Sequence, residues 1–219
     1  MARPLRIRGD DLHYHVILRC NNKEGLFRKN SDFQMALDML FESQQQFGFK
    51  LYNYVFLNSH AHLMLSTHNE KFIDKIMHDF CFKFAKQYNR IYKRSGHFWA
   101  HRYRSRLITD DRYALACLRY QHRNPVLAGM VIKAEEWRWS GYAYYSFGAA
   151  DDLLTQHPAF LGLSTDPLRR QQVYTKFVAT PLLADKMGHL FEGKSSVTGK
   201  RFSMLLQRVN KLVVNIVQY

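Results

Sequence analysis

Apolar positions recur along the first 125 residues at two alternating periods. Residues 12–19 (LHYHVILR) are rich in β-forming side chains and predict a strand. Residues 21–30 are polar and predict a loop. Ser31 then offers an N-cap with Gln34 three residues on, a capping-box arrangement. Phe33, Leu37, Leu40, Phe41, Gln44 and Phe47 follow at helical spacing, and Gly48 supplies the stop. Residues 49–57 and 60–66 predict two more strands, broken by Asn58-Ser59 and paired as a hairpin. Over residues 70–94 the period returns to that of a helix, with Phe72, Ile73, Ile76, Phe80, Phe84, Tyr88 and Ile91 as its apolar stripe. A short strand is predicted near 104–108. Asp110 or Asp111 caps a further helix, which should end near Asn124 because Pro125 disfavours helical geometry in the residue before it. The order β-α-β-β-α-β-α predicts an α+β fold, helices packed on a mostly antiparallel sheet.

Beyond Gly148 the pattern weakens. Ser164 or Thr165 can cap a helix with Pro167 in its first turn, running to about Val178. A Gly/Ser/Lys-rich stretch, 193–200, precedes a basic amphipathic segment, 202–217. The chain is therefore read as a domain over 1–148 and a helical C-terminal extension over 149–219, the latter either a packed appendage or a second nucleic-acid contact.

The 219 residues are 47% hydrophobic with a net charge of +14 and a mean hydropathy of −0.37, which excludes a disordered chain and any membrane span by composition. Nothing near the N-terminus resembles a secretory h-region, and Cys20, Cys81 and Cys117 lack metal-knuckle spacing. A cytoplasmic, nucleoid-associated protein with reduced thiols is expected. The charge points to a polyanionic partner. Residues 1–150 carry 23 basic and 13 acidic side chains, and 151–219 carry 9 and 5. Between Cys81 and Thr109 there is no acidic residue, while Lys83, Lys86, Arg90, Lys93, Arg94, Arg102, Arg104 and Arg106 are all present. Phe98, Trp99 and Tyr103 interleave with them, as in binders of single-stranded nucleic acid, where cations track phosphates and rings stack on bases. Phe98 and Trp99 could instead plug the core beneath the long helix, and Trp137, Trp139 and Tyr142 read as core packing first.

In NSHAHLML, His60 and His62 are two apart on a predicted strand, so both imidazoles share one face. Such a pair makes a bidentate mount for a divalent metal. His13 and His15 form a second H-x-H on the first strand. Either pair could be the mount, or both could face one site across adjacent strands. Tyr120 lies on the helix approaching Pro125, with Asn124 one turn along on the same face. Two imidazoles, one amide oxygen and a phenol form a set that can work on phosphate, with Arg119 and Arg123 flanking the phenol.

Five blocks carry a resemblance to a known family: ARPLRIRGDDLHYHVILRCNN, NSHAHLML, GHFWAHRYRSRLI, RYQHRNPVLAGMV and WRWSGYAYY. Over about residues 2–148 the chain resembles the REP-associated tyrosine transposases, members of the single-tyrosine HUH transposases. The resemblance implies a ferredoxin-like, HUH-type antiparallel sheet. It implies that His60, His62 and Asn124 bind Mg²⁺ or Mn²⁺, and that Tyr120 is the nucleophile of a DNA strand cleavage and rejoining reaction through a 5′-phosphotyrosine. Hairpins of single-stranded DNA from repetitive extragenic palindromes are the implied partner, with Lys83, Lys86, Arg90, Arg102, Arg104, Arg106, Arg119 and Arg123 as DNA contacts and Trp99 and Tyr103 as stacking residues. Outside the family's ligand positions, His13 and His15 take a structural or phosphate-contacting role. The family typically has Ile after the tyrosine, Leu before the asparagine and Arg where Leu127 stands; here Gln121 and Arg123 fill the first two positions. These departures bear on local DNA contacts rather than chemistry. Monomer or homodimer is left open. The rival reading is a domesticated, non-catalytic nucleic-acid-binding protein.

Overall fold

A computed structural model describes residues 7–181, 191 and 200–217. The chain divides into two compact units, Met1–Leu107 and Ile108–Tyr219. The division precedes the third long helix, well before the boundary expected near 148, because that helix packs with the C-terminal helices rather than closing off the sheet unit's chain.

The first unit holds β1 (His13–Arg19), α1 (Asn30–Phe47), β2 (Lys50–Phe56), β3 (His60–Ser66), α2 (Ile73–Ile91) and β4 (Arg104–Leu107). The four strands form one antiparallel sheet in the order β2-β3-β1-β4. That βαββαβ order is the ferredoxin-like arrangement implied by the resemblance. Alternation sorts the side chains. Tyr14, Val16 and Leu18 of β1 share a face with Ala61, Leu63 and Leu65 of β3 and with Leu51, Tyr54 and Phe56 of β2, and all are buried. Phe33, Ala36 and Leu40 of α1 and Ile76, Phe80, Phe84 and Tyr88 of α2 complete this core. The other face carries His13, His15, Arg19, His60 and His62 beside the buried Ile17, Met64 and Val55.

Two boundaries differ from expectation for local reasons. α1 begins at Asn30, and the carboxylate of Asp32 accepts from the Arg28 and Lys29 amides at 2.8 and 2.9 Å, so Asp32 rather than Ser31 satisfies the first turn. Gly48 ends the helix as expected, in the left-handed region at φ 67°, where its amide reaches Gln44 O. Trp99 sits half-buried in an aromatic cluster with Phe27, Phe80, Phe84 and Phe98, and its indole donates to Cys81 O at 3.1 Å. Residues 98–100 run beside the end of β1, with Asn21 N bonding Phe98 O and Ala100 N bonding Arg19 O.

The second unit holds α3 (Asp111–Leu127), α4 (Tyr142–Phe147), α5 (Pro158–Leu161), α6 (Pro167–Ala179) and α7 (Lys200–Val217). α3 is capped by Asp110, whose carboxylate accepts from Tyr113 N at 2.9 Å. It does not stop at Asn124. Pro125 falls in the last turn, where the one hydrogen bond it forfeits is to the carbonyl four residues back, and the helix runs two residues further. Gly129, at φ 68°, then closes a Schellman motif: Met130 N reaches Pro125 O and Gly129 N reaches Val126 O. α6 is capped by Asp166, which accepts from Leu168 N and Arg169 N, so Ser164 and Thr165 are displaced from that role. The amphipathic segment expected at 202–217 is α7, which packs on α3 and α6 through Leu205, Val209 and Ile216. Most of the Gly/Ser/Lys-rich stretch at 193–200 lies outside the described residues. Trp139 and Tyr142 are buried, as expected. No described helix is long and apolar enough to cross a membrane.

Candidate active site

The strand register settles how the two H-x-H pairs relate. β1 and β3 pair with Arg19 opposite His60, Ile17 opposite His62, His15 opposite Met64 and His13 opposite Ser66. All four imidazoles therefore stand on one face. The His60 and His62 ring centroids are 5.1 Å apart, edge to face at 81°. His62 is fully buried, and its Nδ1 lies 3.0 Å from His15 Nε2. His60 Nδ1 lies 3.1 Å from Ser59 Oγ. Each ring of the second pair is thus held through Nδ1. His13 takes a separate place: its Nε2 lies 3.3 Å from the Tyr52 hydroxyl, which also contacts Ser66 Oγ at 3.2 Å.

Burial keeps His15 and His62 uncharged. It pushes His15 down to about 3, with the Arg106 guanidinium adding to the effect. His62 falls well below the usual histidine value, through burial first and then its neighbours His60, His15 and Arg19. A neutral imidazole is the form that ligates a metal. The same face carries cations: Arg106 of β4 stands opposite His15, and Arg104 opposite Ile17. Arg19, opposite His60, is a candidate that charge counting missed; its place one register step from a histidine is visible only once β1 and β3 are aligned.

In the second unit, Tyr120 and Asn124 lie one turn apart on α3, and both are buried. The Tyr120 ring stacks on Phe191, with centroids 4.7 Å apart and planes 12° apart. The flanking arginines face away from any DNA role. Arg119 is only 4% exposed, and its guanidinium donates to Phe177 O at 3.0 Å and to Thr180 O. Arg123 donates to Val178 O at 2.7 Å. Both cations cap the carbonyl end of α6, where the helix dipole favours positive charge. They are structural, which corrects the expectation that they contact DNA or favour the phenolate.

The remaining expected DNA contacts divide by exposure. Lys86, Arg90 and Arg102 are exposed. Lys83 forms an ion pair with Asp79 at 2.8 Å on α2 and reaches Gln46. Trp99 is half-buried in the aromatic cluster, and Tyr103 is buried.

Residues 9–124 match the family profile described as IS200-like transposase. The chain belongs to that family. The match runs from the first strand through Asn124 and so takes in both histidine pairs and the tyrosine helix. Among solved structures, the chain is similar to a REP-associated tyrosine transposase bound to a REP hairpin, at 17% identity and a TM-score of 0.58, over 73% of this chain and 96% of that one. A candidate transposase of Deinococcus radiodurans matches at 17% identity and a TM-score of 0.40, over 52% of this chain and 89% of that one. No curated protein matches the chain. Membership places this transposase-family protein among those that act on DNA, and the similarity to the hairpin-bound structure extends to its α+β fold.

The histidine pair fits a divalent cation. The rings share a face and have their Nδ1 atoms held by other groups, the usual arrangement around metal-bound imidazole. Among the described residues no cluster of three or more histidine, cysteine or acidic side chains is arranged around one point.

Proposed function

We propose that this IS200-like transposase cleaves and rejoins single-stranded DNA at hairpins of the REP type, with Tyr120 as the nucleophile. The observation that carries the reading is the same-face histidine pair of β3, on a sheet face that also bears Arg19, Arg104 and Arg106, in a chain whose family match ends at the Tyr120–Asn124 turn of α3. A hairpin-bound solved relative of the same fold supports the choice of substrate.

The Tyr120 hydroxyl attacks phosphorus in one phosphodiester and loses its proton to solvent. The bond from phosphorus to the 3′ oxygen breaks, that oxygen takes up a proton, and the phosphate remains esterified to Tyr120 on its 5′ side. One ester replaces another, so no nucleotide triphosphate is consumed, and a 3′-hydroxyl can reverse the step to join a strand. A divalent cation held by His60, His62 and the Asn124 amide oxygen would supply Lewis-acid polarisation of the scissile phosphate. Arg104 and Arg106 orient phosphate from β4. His62, uncharged, leaves its Nε2 lone pair for coordination rather than adding a positive charge.

The test is cleavage of a labelled single strand bearing a REP-type hairpin by wild type and Tyr120→Phe, with the covalent adduct trapped by denaturation. Wild type should form the adduct in Mg²⁺ or Mn²⁺ and lose it in chelator, while Tyr120→Phe binds the hairpin but neither cleaves nor cross-links. Hairpin binding with no cleavage by wild type under any divalent metal would establish the non-catalytic alternative instead.

A further inference from the structure

We infer that His15 is the positioning residue of His62, its Nε2 accepting the proton that His62 carries on Nδ1, so that His62 presents its Nε2 lone pair on the histidine-bearing face of the sheet. This rests on the metal-site reading of the β3 pair given above and extends it from strand β3 to strand β1.

The geometry pairs His62 with His15 across the two strands. Its Nδ1 is 3.0 Å from His15 Nε2, inside the buried part of the sheet face, with the two rings stacked at 5.2 Å and 24°. The contact is diagonal across the ladder, since His15 stands opposite Met64 and His62 opposite Ile17. A neutral imidazole carries one proton. Were that proton on Nε2 of His62, the nitrogen would have no lone pair to offer a cation, so the ligating tautomer needs Nδ1–H and an acceptor beside it. His15 provides the acceptor only if its own Nε2 is unprotonated, which places its proton on Nδ1. Ser59 does the corresponding service for His60, through Oγ and Nδ1 at 3.1 Å. The first-strand H-x-H is thus divided: His15 turns to the metal pair, and His13 turns to Tyr52.

Two measurements test this on the full chain. The first is Mn²⁺ binding, by titration calorimetry without DNA, on wild type, His15→Gln, His15→Leu and His62→Ala. Gln keeps an acceptor near the position of Nε2, so it should bind within about threefold of wild type; His15→Leu should bind about 10–100-fold more weakly, the usual effect of losing a partner of a metal-bound imidazole. His62→Ala should lose binding. Wild-type affinity in His15→Leu would overturn the positioning role while leaving the metal site standing; wild type that binds no Mn²⁺, or binds it equally after His62→Ala, would overturn both. The second measurement does not depend on a variant folding. In ¹⁵N-histidine-labelled wild type, two-bond ¹⁵N–¹H correlations should show both rings neutral with the proton on Nδ1. A proton on Nε2 of His62 would overturn the inference.

Discussion

The sheet face and the tyrosine helix hold their candidate chemistry in opposite ways. On the sheet, polar groups hold one another across strands: His15 holds His62, and Tyr52 bridges His13 and Ser66. On α3 the phenol ring is held by stacking against Phe191, and the charged residues beside it are turned to another task, capping α6. A ring stack is worth about 0.5–1.5 kcal/mol, whereas a buried hydrogen-bonded pair fixes the orientation of a ring. The sheet therefore has chemistry and scaffold in the same residues, and α3 keeps them apart.

The largest effect expected from this contrast is on catalysis. Tyr120→Phe and His62→Ala should each reduce hairpin cleavage by at least about 10³-fold, since each removes a group the reaction cannot replace. They should separate on Mn²⁺ binding, retained by Tyr120→Phe and lost by His62→Ala. Retention of strong cleavage by either variant breaks the assignment of that residue alone. On stability the order follows the packing: Tyr120→Phe leaves the ring on Phe191 and should melt like wild type.

Next in size is Arg119→Met. The buried guanidinium satisfies carbonyls of Phe177 and Thr180, and its loss leaves them without a charged donor, a cost of about 2–3 kcal/mol in urea unfolding. Hairpin affinity per folded molecule should not change. Weaker DNA binding at full stability would return Arg119 to the DNA interface.

That arginine shows where the sequence was readable and where it was not. The strands, the hairpin and both H-x-H pairs followed from period two, because alternation fixes which side chains of a strand share a face. Tyr120 and Asn124 followed from the i, i+4 spacing. The partners of Arg119 and Arg123 did not, because they are backbone carbonyls almost sixty residues away, at a helix end whose position no local pattern gives. The packing of Trp99 and Tyr103 was not readable for a related reason: aromatic residues among cations look alike whether rings face solvent or fill a core, and only the cluster of Phe27, Phe84 and Phe98 decides it for Trp99. The link between His15 and His62 depends on the β1–β3 register, which spacing within either strand leaves open.

A pH effect follows from the buried histidine of the helical unit. His122 Nδ1 meets the Tyr174 hydroxyl at 2.7 Å, and burial pushes its pKa down to about 3. An unfolded histidine titrates near 6.5. Between those values the unfolded chain binds a proton that the folded chain does not, so stability is present above about pH 6.5 and falls on acidification towards 3, by up to about 1.4 kcal/mol per pH unit for this group. His122→Asn keeps a partner for Tyr174 without the titration. Urea unfolding at pH 7 and pH 5 should show a smaller loss for the variant than for wild type; equal losses would move the acid sensitivity elsewhere, to His15 and His62 of the sheet face.

The smallest effect expected distinguishes the cations of the two regions. Arg106 stands beside His15 on the sheet face, while Arg123 reaches the end of α6. A phosphate contact releases counterions, so Arg106→Gln should weaken hairpin binding several-fold and lower the slope of log affinity against log salt by about 0.7–1. Arg123→Gln should leave the slope as it is and lower the melting temperature instead. The same salt titration reads both variants. If Arg123 carries the salt dependence and Arg106 does not, the histidine-bearing sheet face is a structural surface, and the DNA path must be sought along the exposed Lys86, Arg90 and Arg102 instead.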